Sequence, residues 1–206
     1  YAIDVSLVGS EMCIRDRLGP ALEMGRSFIL PEYQRTFWPL LSLWKGIGAY
    51  VGRFPKYKTL FGPVSISDSY DKISQHLMTT FLKQNNFESK LASMVKPRNR
   101  SQSFQTRWID RELIRHSVKD IAEVSDLIAD IQTQEQSVPV LLKEYIKLGG
   151  KLIGFNVDPN FSCVLDGLIF VDLTKTKEKL LERYMGKEEA QGFLNYHNPK
   201  DKKLKA

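Results

Sequence analysis

Residues 22–35 read LEMGRSFILPEYQR. Leu22, Met24, Phe28, Ile29 and Leu30 give the segment an apolar frame, and Pro31 closes it, because proline cannot donate to a sheet ladder. The spacing predicts a strand over 21–30. Inside that strand sit an acid, a residue without a side chain and a guanidinium: Glu23, Gly25 and Arg26. A core strand prefers Val and Ile at such positions, so this segment has work beyond packing.

The sequence on either side completes a recognisable unit. TFWPLLSLWKGIGAYVGRFP, residues 36–55, predicts a helix with Thr36 as N-cap and Pro39 in the first turn. Leu40, Trp44, Ile47 and Val51 recur at helical spacing. YKTLFGPVSIS, 57–67, predicts a second strand, kinked at Gly62 and Pro63. Strand, helix, strand in this compass is a βαβ unit, so the two strands are expected to be parallel with a right-handed crossover. Helices are expected over 69–85, 118–132 and 138–150, and strands over 151–158 and 166–173. The end reads as one broken helix or two, then a charged tail. Residues 86–107 read as a polar loop with Lys96, Arg98 and Arg100. The expected fold class is therefore α/β with a mixed sheet.

The composition bounds the function. The chain has 206 residues, 42% of them hydrophobic and 26% charged, which suits a globular domain with a core. A net charge of +6 and a pI near 9.2 point to an anionic partner: acidic lipid, an acidic carrier protein or nucleic acid. A mildly basic solvated surface accounts for the charge equally well. No apolar run approaches the roughly 20 residues of a membrane span, and Lys45 interrupts the best candidate, 37–51. Two cysteines, Cys13 and Cys163, make no disulfide framework, so a cytoplasmic chain is expected, with the inner membrane face as a peripheral contact.

The prefix YAIDVSLVGSEMCIRDR has a separate explanation. Leu7 to Arg17 follow, in unbroken order, one reading frame of a transposon-end adapter used in sequencing libraries. Residues 1–17 are accordingly read as an adapter-derived scar and left out of fold reasoning. On this reading Cys163 has no partner cysteine, and the natural chain is expected to extend upstream, so that the domain lacks its first strands. The expected organisation is 1–17 adapter-derived or disordered, 18–198 one partial domain, and 199–206 a charged tail.

Several chemistries are excluded by pattern. The glycines at 46, 48 and 52 lie on a helix and make no dinucleotide or Walker loop. There is no Cys/His cluster with metal spacing, so no metal is expected. His116–Asp120 and His197–Asp201 fall one position short of the glycerolipid O-acyltransferase spacing, and both histidines are read as surface residues. Tyr33 and Trp44 are read as core. Asn156 and Asp158, in GFNVDP, are read equally as turn-formers or substrate contacts.

Several blocks carry a resemblance. Glu23-Met24-Gly25-Arg26-Ser27, Pro31-Glu32-Tyr33-Gln34-Arg35, Trp44-Lys45-Gly46 and Phe61-Gly62-Pro63-Val64-Ser65-Ile66-Ser67 occur in one order, with VPVLLKEYIKLGGKLIGFNVDPNF and LDGLIFVDL further on. Together they resemble the GNAT-type N-acyltransferases, and within them the ornithine–acyl-carrier-protein N-acyltransferases that make lyso-ornithine lipid and related aminolipids. Relatives of that group also go under haemolysin names, and many follow a glycerolipid O-acyltransferase domain. The resemblance covers Leu18 to Tyr196.

It implies a GNAT-like fold, in which two adjacent parallel strands part to receive the pantetheine arm of an acyl donor. The arm's amides pair with backbone groups that would otherwise be buried unpaired. The helix amino terminus, with Gln34, Arg35 and Thr36, would face the donor phosphate, and Gly25 and Ser65 would line the donor path. A glycine-richer loop is usual where coenzyme A is the donor, so QRTFWP favours the single phosphate of a carrier protein. Glu23 is expected to be general base or amine-positioning acid, since an attacking amine must lose a proton. Arg26 and Ser27 would orient a substrate carboxylate or the thioester oxygen. The competing account makes Glu23 and Arg26 a strand-edge ion pair that only sets register.

No permanently bound cofactor is implied. The donor would be acyl carrier protein or acyl-coenzyme A, and the acceptor ornithine or another amino acid, with glycine or serine-like acceptors in relatives. Anionic membrane and an upstream O-acyltransferase domain are the further partners, and nucleic acid is not expected. Acetyl transfer from coenzyme A, homoserine-lactone synthesis and a non-catalytic basic docking module are the alternatives.

Overall fold

The computed structural model describes residues 18–25, 29–34, 36–99, 118, 120–131, 137–159 and 163–198, with the backbone alone at Phe37. The elements are β1 (Ala21–Glu23), a 3₁₀ turn (Pro31–Tyr33), α1 (Phe37–Arg53), β2 (Thr59–Ile66), α2 (Lys72–Asn85), α3 (Ser89–Ala92), α4 (Ile121–Ile131) and α5 (Val140–Lys147). They continue with β3 (Lys151–Asp158), β4 (Val164–Asp172), a 3₁₀ turn (Leu173–Lys175), α6 (Glu178–Met185) and α7 (Lys187–His197). The four strands form one mixed sheet in the order β1-β2-β4-β3. β1 and β2 are parallel and β3 and β4 antiparallel. This mixed α/β architecture agrees with the GNAT-like fold that the sequence blocks imply. Among the described residues no helix is long and apolar enough to cross a membrane.

The chain divides into two compact units, one containing Gly62–Phe170 and the other Leu18–Phe61 with Val171–Ala206. In the second, α1 packs on α6 and α7. Trp44, Val51, Leu181 and Phe193 are buried, and the Trp44 and Tyr184 rings lie 5.8 Å apart. Gly186, at φ 96°, takes a conformation that costs a side chain strain, and it breaks the end of the chain into α6 and α7. His197 is half-buried, with Nε2 2.7 Å from the Pro55 carbonyl, so it is a tether and not the surface residue expected. Asp201 and His116 lie outside the described residues.

In the first unit α2 packs on α4, and α3 on β3. Met78, Leu82, Val124, Ile128, Leu142 and Ile169 are all buried. The outer edge of β3 is covered at both ends. Leu152 N–H donates to Asn86 O (2.6 Å) and Glu88 N–H to Leu152 O (2.9 Å), while Val157 N–H donates to Asn99 O (3.0 Å). Covering an edge in this way removes an open template for further pairing. Asn156 stands in mid-strand, fully buried, and so is not a turn-former; Asp158 closes the strand.

The largest departure from the sequence expectation is β1. It ends at Glu23, whereas a strand through residue 30 was expected; Met24, Gly25, Ile29 and Leu30 are not strand, and 26–28 lie outside the described residues. The reason is legible in β2. Met24 N–H donates to Phe61 O at 2.7 Å, so Phe61 turns its backbone towards β1. Alternate residues of a strand turn to the same edge, which brings Pro63 next. Proline has no N–H to offer there, and a regular ladder loses its next rung.

Candidate functional site

In the second unit, β1 and β2 pair in register Ala21↔Thr59, Leu22↔Leu60, Glu23↔Phe61. Glu23 thus stands on the last described rung, half-buried, with its carboxylate turned along the chain towards Gly25. A Cβ built on Gly25 would lie 3.5 Å from Glu23 Oε1, an ordinary contact distance. Gly25 is exposed. One side of the carboxylate is therefore bordered by the bare backbone of Gly25. Arg26 and Ser27, the other two residues expected to be catalytic, lie outside the described residues.

The turn into α1 is built differently from the expectation. Thr36 occupies the N-cap position with extended backbone, yet its hydroxyl donates to Tyr33 O at 3.1 Å and does not cap the helix. Gln34 Nε2 donates to Ile29 O at 2.8 Å, bracing the other side of the same turn. Both side chains hold the turn, and the first N–H groups of this 17-residue helix have no side-chain cap. Such an end carries partial positive charge and unsatisfied donors. Arg35 lies outside the described residues. Tyr33 is exposed (57%) and is not core, whereas Trp44 is buried as expected. Leu30 and Trp38, the latter 70% exposed, flank the same turn in sequence.

In the first unit, Ser65 near the end of β2 is exposed, and its hydroxyl donates to Asp166 Oδ1 at 2.6 Å. Asp166, on β4, is only 7% exposed. Sequence reasoning did not single it out. The available signal was a lone acid opening the apolar run DGLIFV, the same kind of anomaly that marks Glu23. Lys96 and Arg98 of the basic loop are exposed, and Arg100 lies outside the described residues. The pKa of Lys143 is moved. Burial, and then the neighbouring charge of Lys147, push it below the usual lysine value, and its Nζ donates to Ser125 Oγ at 2.8 Å. Among the described residues no three His, Cys, Asp or Glu side chains are grouped to hold a metal ion.

No protein-family model matches this chain. No solved structure matches it either. The chain is 28% identical over 161 residues to a glycine N(alpha)-acyltransferase of Bacteroides thetaiotaomicron, covering 74% of this chain and 46% of that protein. It is 24% identical over 197 residues to a glycine N(alpha)-acyltransferase of Phocaeicola vulgatus, covering 91% of this chain and 58% of that protein. The chain spans about half the length of the curated relatives it matches.

Proposed function

We propose that this chain carries the acyl-transfer part of an N-acyltransferase that moves a fatty acyl group from a carrier thioester to the amine of an amino acid. A general acyltransferase role is supported by the likeness to two proteins named for that reaction and by the mixed α/β fold. The observation that carries the finer reading is the placement of Glu23. Its carboxylate ends a parallel strand pair beside the exposed backbone of Gly25, at the point where β2 runs on into Pro63.

On this reading the acceptor amine gives a proton to Glu23 and its nitrogen attacks the thioester carbonyl. The resulting tetrahedral centre collapses, expelling the donor sulfur as thiolate and leaving an amide. The task of the base is to take the proton as the carbon–nitrogen bond forms, a contribution of about a hundredfold to ten-thousandfold. The uncapped amino terminus of α1 offers N–H donors and partial positive charge to the donor's phosphate. A single phosphate matches the glycine-poor turn, so acyl carrier protein is the proposed donor, with acyl-coenzyme A as the comparison. The acceptor is an amino acid, glycine or ornithine, and aminolipid formation at the membrane is the proposed setting. A glycerolipid O-acyltransferase domain upstream, and a natural chain longer than this one, belong to the same proposal.

The test is to express the complete natural coding sequence in a bacterial host and examine its lipids by mass spectrometry. The reading expects a new N-acyl amino acid that Glu23→Gln abolishes. No new lipid, or the same lipid from both proteins, would overturn it.

A further inference from the structure

Lys143 on α5 folds back along its own helix. Helical side chains lean towards the amino end, and Lys143 Nζ reaches Ser137 Oγ at 3.3 Å, three residues ahead of the first helical residue. The same nitrogen donates to Ser125 Oγ of α4 at 2.8 Å. The backbone at Ser137 is held in turn by Tyr70, a buried side chain whose hydroxyl donates to the Ser137 carbonyl. Ser125 is buried while Ser137 and Lys143 are half-buried, so the cluster is recessed without being closed.

The protons decide what such a cluster can bind. The ordinary lysine pKa lies far enough above neutrality for a partly exposed side chain to stay an ammonium. An ammonium only donates, so both serine oxygens accept and each hydroxyl keeps its own proton. A helical serine or threonine often spends that proton on the carbonyl of the preceding turn, as Thr79 does on Gln75 O. Neither the Ser125 nor the Ser137 hydroxyl donates to any described residue. With the third ammonium proton, three unspent donors surround one nitrogen. The amino end of α5 has no side-chain cap and adds N–H groups and partial positive charge.

The charged neighbours do not neutralise Lys143. Lys147 repels it, and the attraction of Asp126 is outweighed by burial. Lys147 pairs with Glu144 at 2.6 Å, and among the described residues no carboxylate forms an ion pair with Lys143. A half-buried cation is costly to desolvate unless it is paired. One ringed by unspent O–H donors suits an acceptor that carries negative charge.

We infer that Lys143, Ser125 and Ser137 form a phosphate-binding site at the amino end of α5. An ammonium, two hydroxyls from separate segments and a helix end offer donors from different directions, which matches a tetrahedral oxyanion better than a planar carboxylate. Lysine serves phosphate as a point charge, and helix amino ends serve it through backbone N–H groups. The site lies within the first unit and does not depend on the N-acyltransferase reading, whose groups are on β1 and α1.

The test uses the complete protein with inorganic phosphate, and acetate as the planar control. Binding is read by calorimetry and by the rise in unfolding temperature with phosphate concentration. Lys143→Gln should weaken phosphate binding about tenfold or more, and Ser125→Ala and Ser137→Ala about fivefold each. Lys143→Arg, which keeps the charge, should retain more binding than Lys143→Gln. The comparison is made between variants, because the end of α1 is also proposed to meet a phosphate. Should Lys143→Gln fail to fold, Ser137→Ala, which removes only a half-buried hydroxyl, carries the test. Unchanged phosphate affinity in Ser137→Ala and Lys143→Gln, or acetate bound as tightly as phosphate, would overturn the inference. A residue that only ties α5 to α4 would lower the unfolding temperature in phosphate-free buffer and leave the phosphate-dependent rise intact; that result would overturn it too. Vesicles of phosphatidylcholine with and without phosphatidic acid separate the sources. Retention on the acidic vesicles that Lys143→Gln abolishes would assign the phosphate to a lipid headgroup. Binding of inorganic phosphate without such retention would assign it to a soluble ion or ester.

Discussion

Gly48 of α1 lies directly against the backbone carbonyl of Tyr184 in α6, so close that a Cβ at position 48 would overlap it. One turn further along, a Cβ at Gly52 would come within 2.8 Å of Glu189 Cβ. The obstacle at Gly48 is backbone, which cannot swing aside as a side-chain end can. Gly48→Ala is therefore expected to destabilise the protein by about 1–3 kcal/mol. Gly46, on the same helix with nothing within 4 Å of its would-be Cβ, is the internal control. Gly46→Ala is expected to stabilise by up to about 1 kcal/mol through helix propensity alone. Denaturant unfolding of the two variants checks the pair, and equal effects would refute the close-approach explanation.

Asp71 caps α2, accepting from Ile73 N–H at 2.7 Å and Ser74 N–H at 2.9 Å, with Ser74 Oγ on its other oxygen. Burial works to raise its carboxyl pKa, but the hydrogen bonds from Ser74 and Ile73 outweigh it and hold the pKa below the usual value. A folded pKa below the unfolded one means that the contribution is fully present above the unfolded carboxylate range. It is lost as pH falls through the folded value. Asp71→Ala should cost about 1 kcal/mol at neutral pH and flatten the acid limb of the stability curve. Asp71→Asn should keep most of the cap and also flatten that limb. Thermal unfolding across the acid range measures both.

Gly25 separates space from backbone freedom. The site a Cβ would occupy is at ordinary contact distance from Glu23 Oε1, so Gly25→Ala is expected to fold and to retain most activity. Gly25→Val places branches beside the carboxylate and should lower acyl transfer at least tenfold while unfolding at the wild-type temperature. An equally active Val variant would show that the bare backbone beside Glu23 is not an approach route.

The architecture was largely readable from residue order, because helix-spaced apolar residues and Pro/Gly stops set α1, α2, α5, β3 and the parallel β1–β2 pair. Element ends were less readable where partners decide them. β1 stops at Glu23 because the next rung belongs to a proline on another strand, a fact that lies forty residues away in sequence from Glu23 itself. Thr36 looked like a cap by type and position, but its hydroxyl found the Tyr33 carbonyl first. Of the candidate site, Glu23 and Gly25 came together because they lie two positions apart in sequence, Gly25 just past the end of β1. Ser65 acquired its partner only through sheet pairing, which is why Asp166 was not foreseen. Tyr33 is exposed because the 3₁₀ turn that carries it buries none of its residues.

The proposal that Glu23 takes the proton of an attacking amine is tested most directly by the rate of amide formation by the purified complete protein, with a carrier-protein thioester and a saturating amino acid, in wild type and Glu23→Gln. The substitution keeps the size of the side chain and removes its basicity. A fall in kcat of about a hundredfold or more, with the fold intact, is the predicted result. Amide formation at the wild-type rate in Glu23→Gln would contradict it.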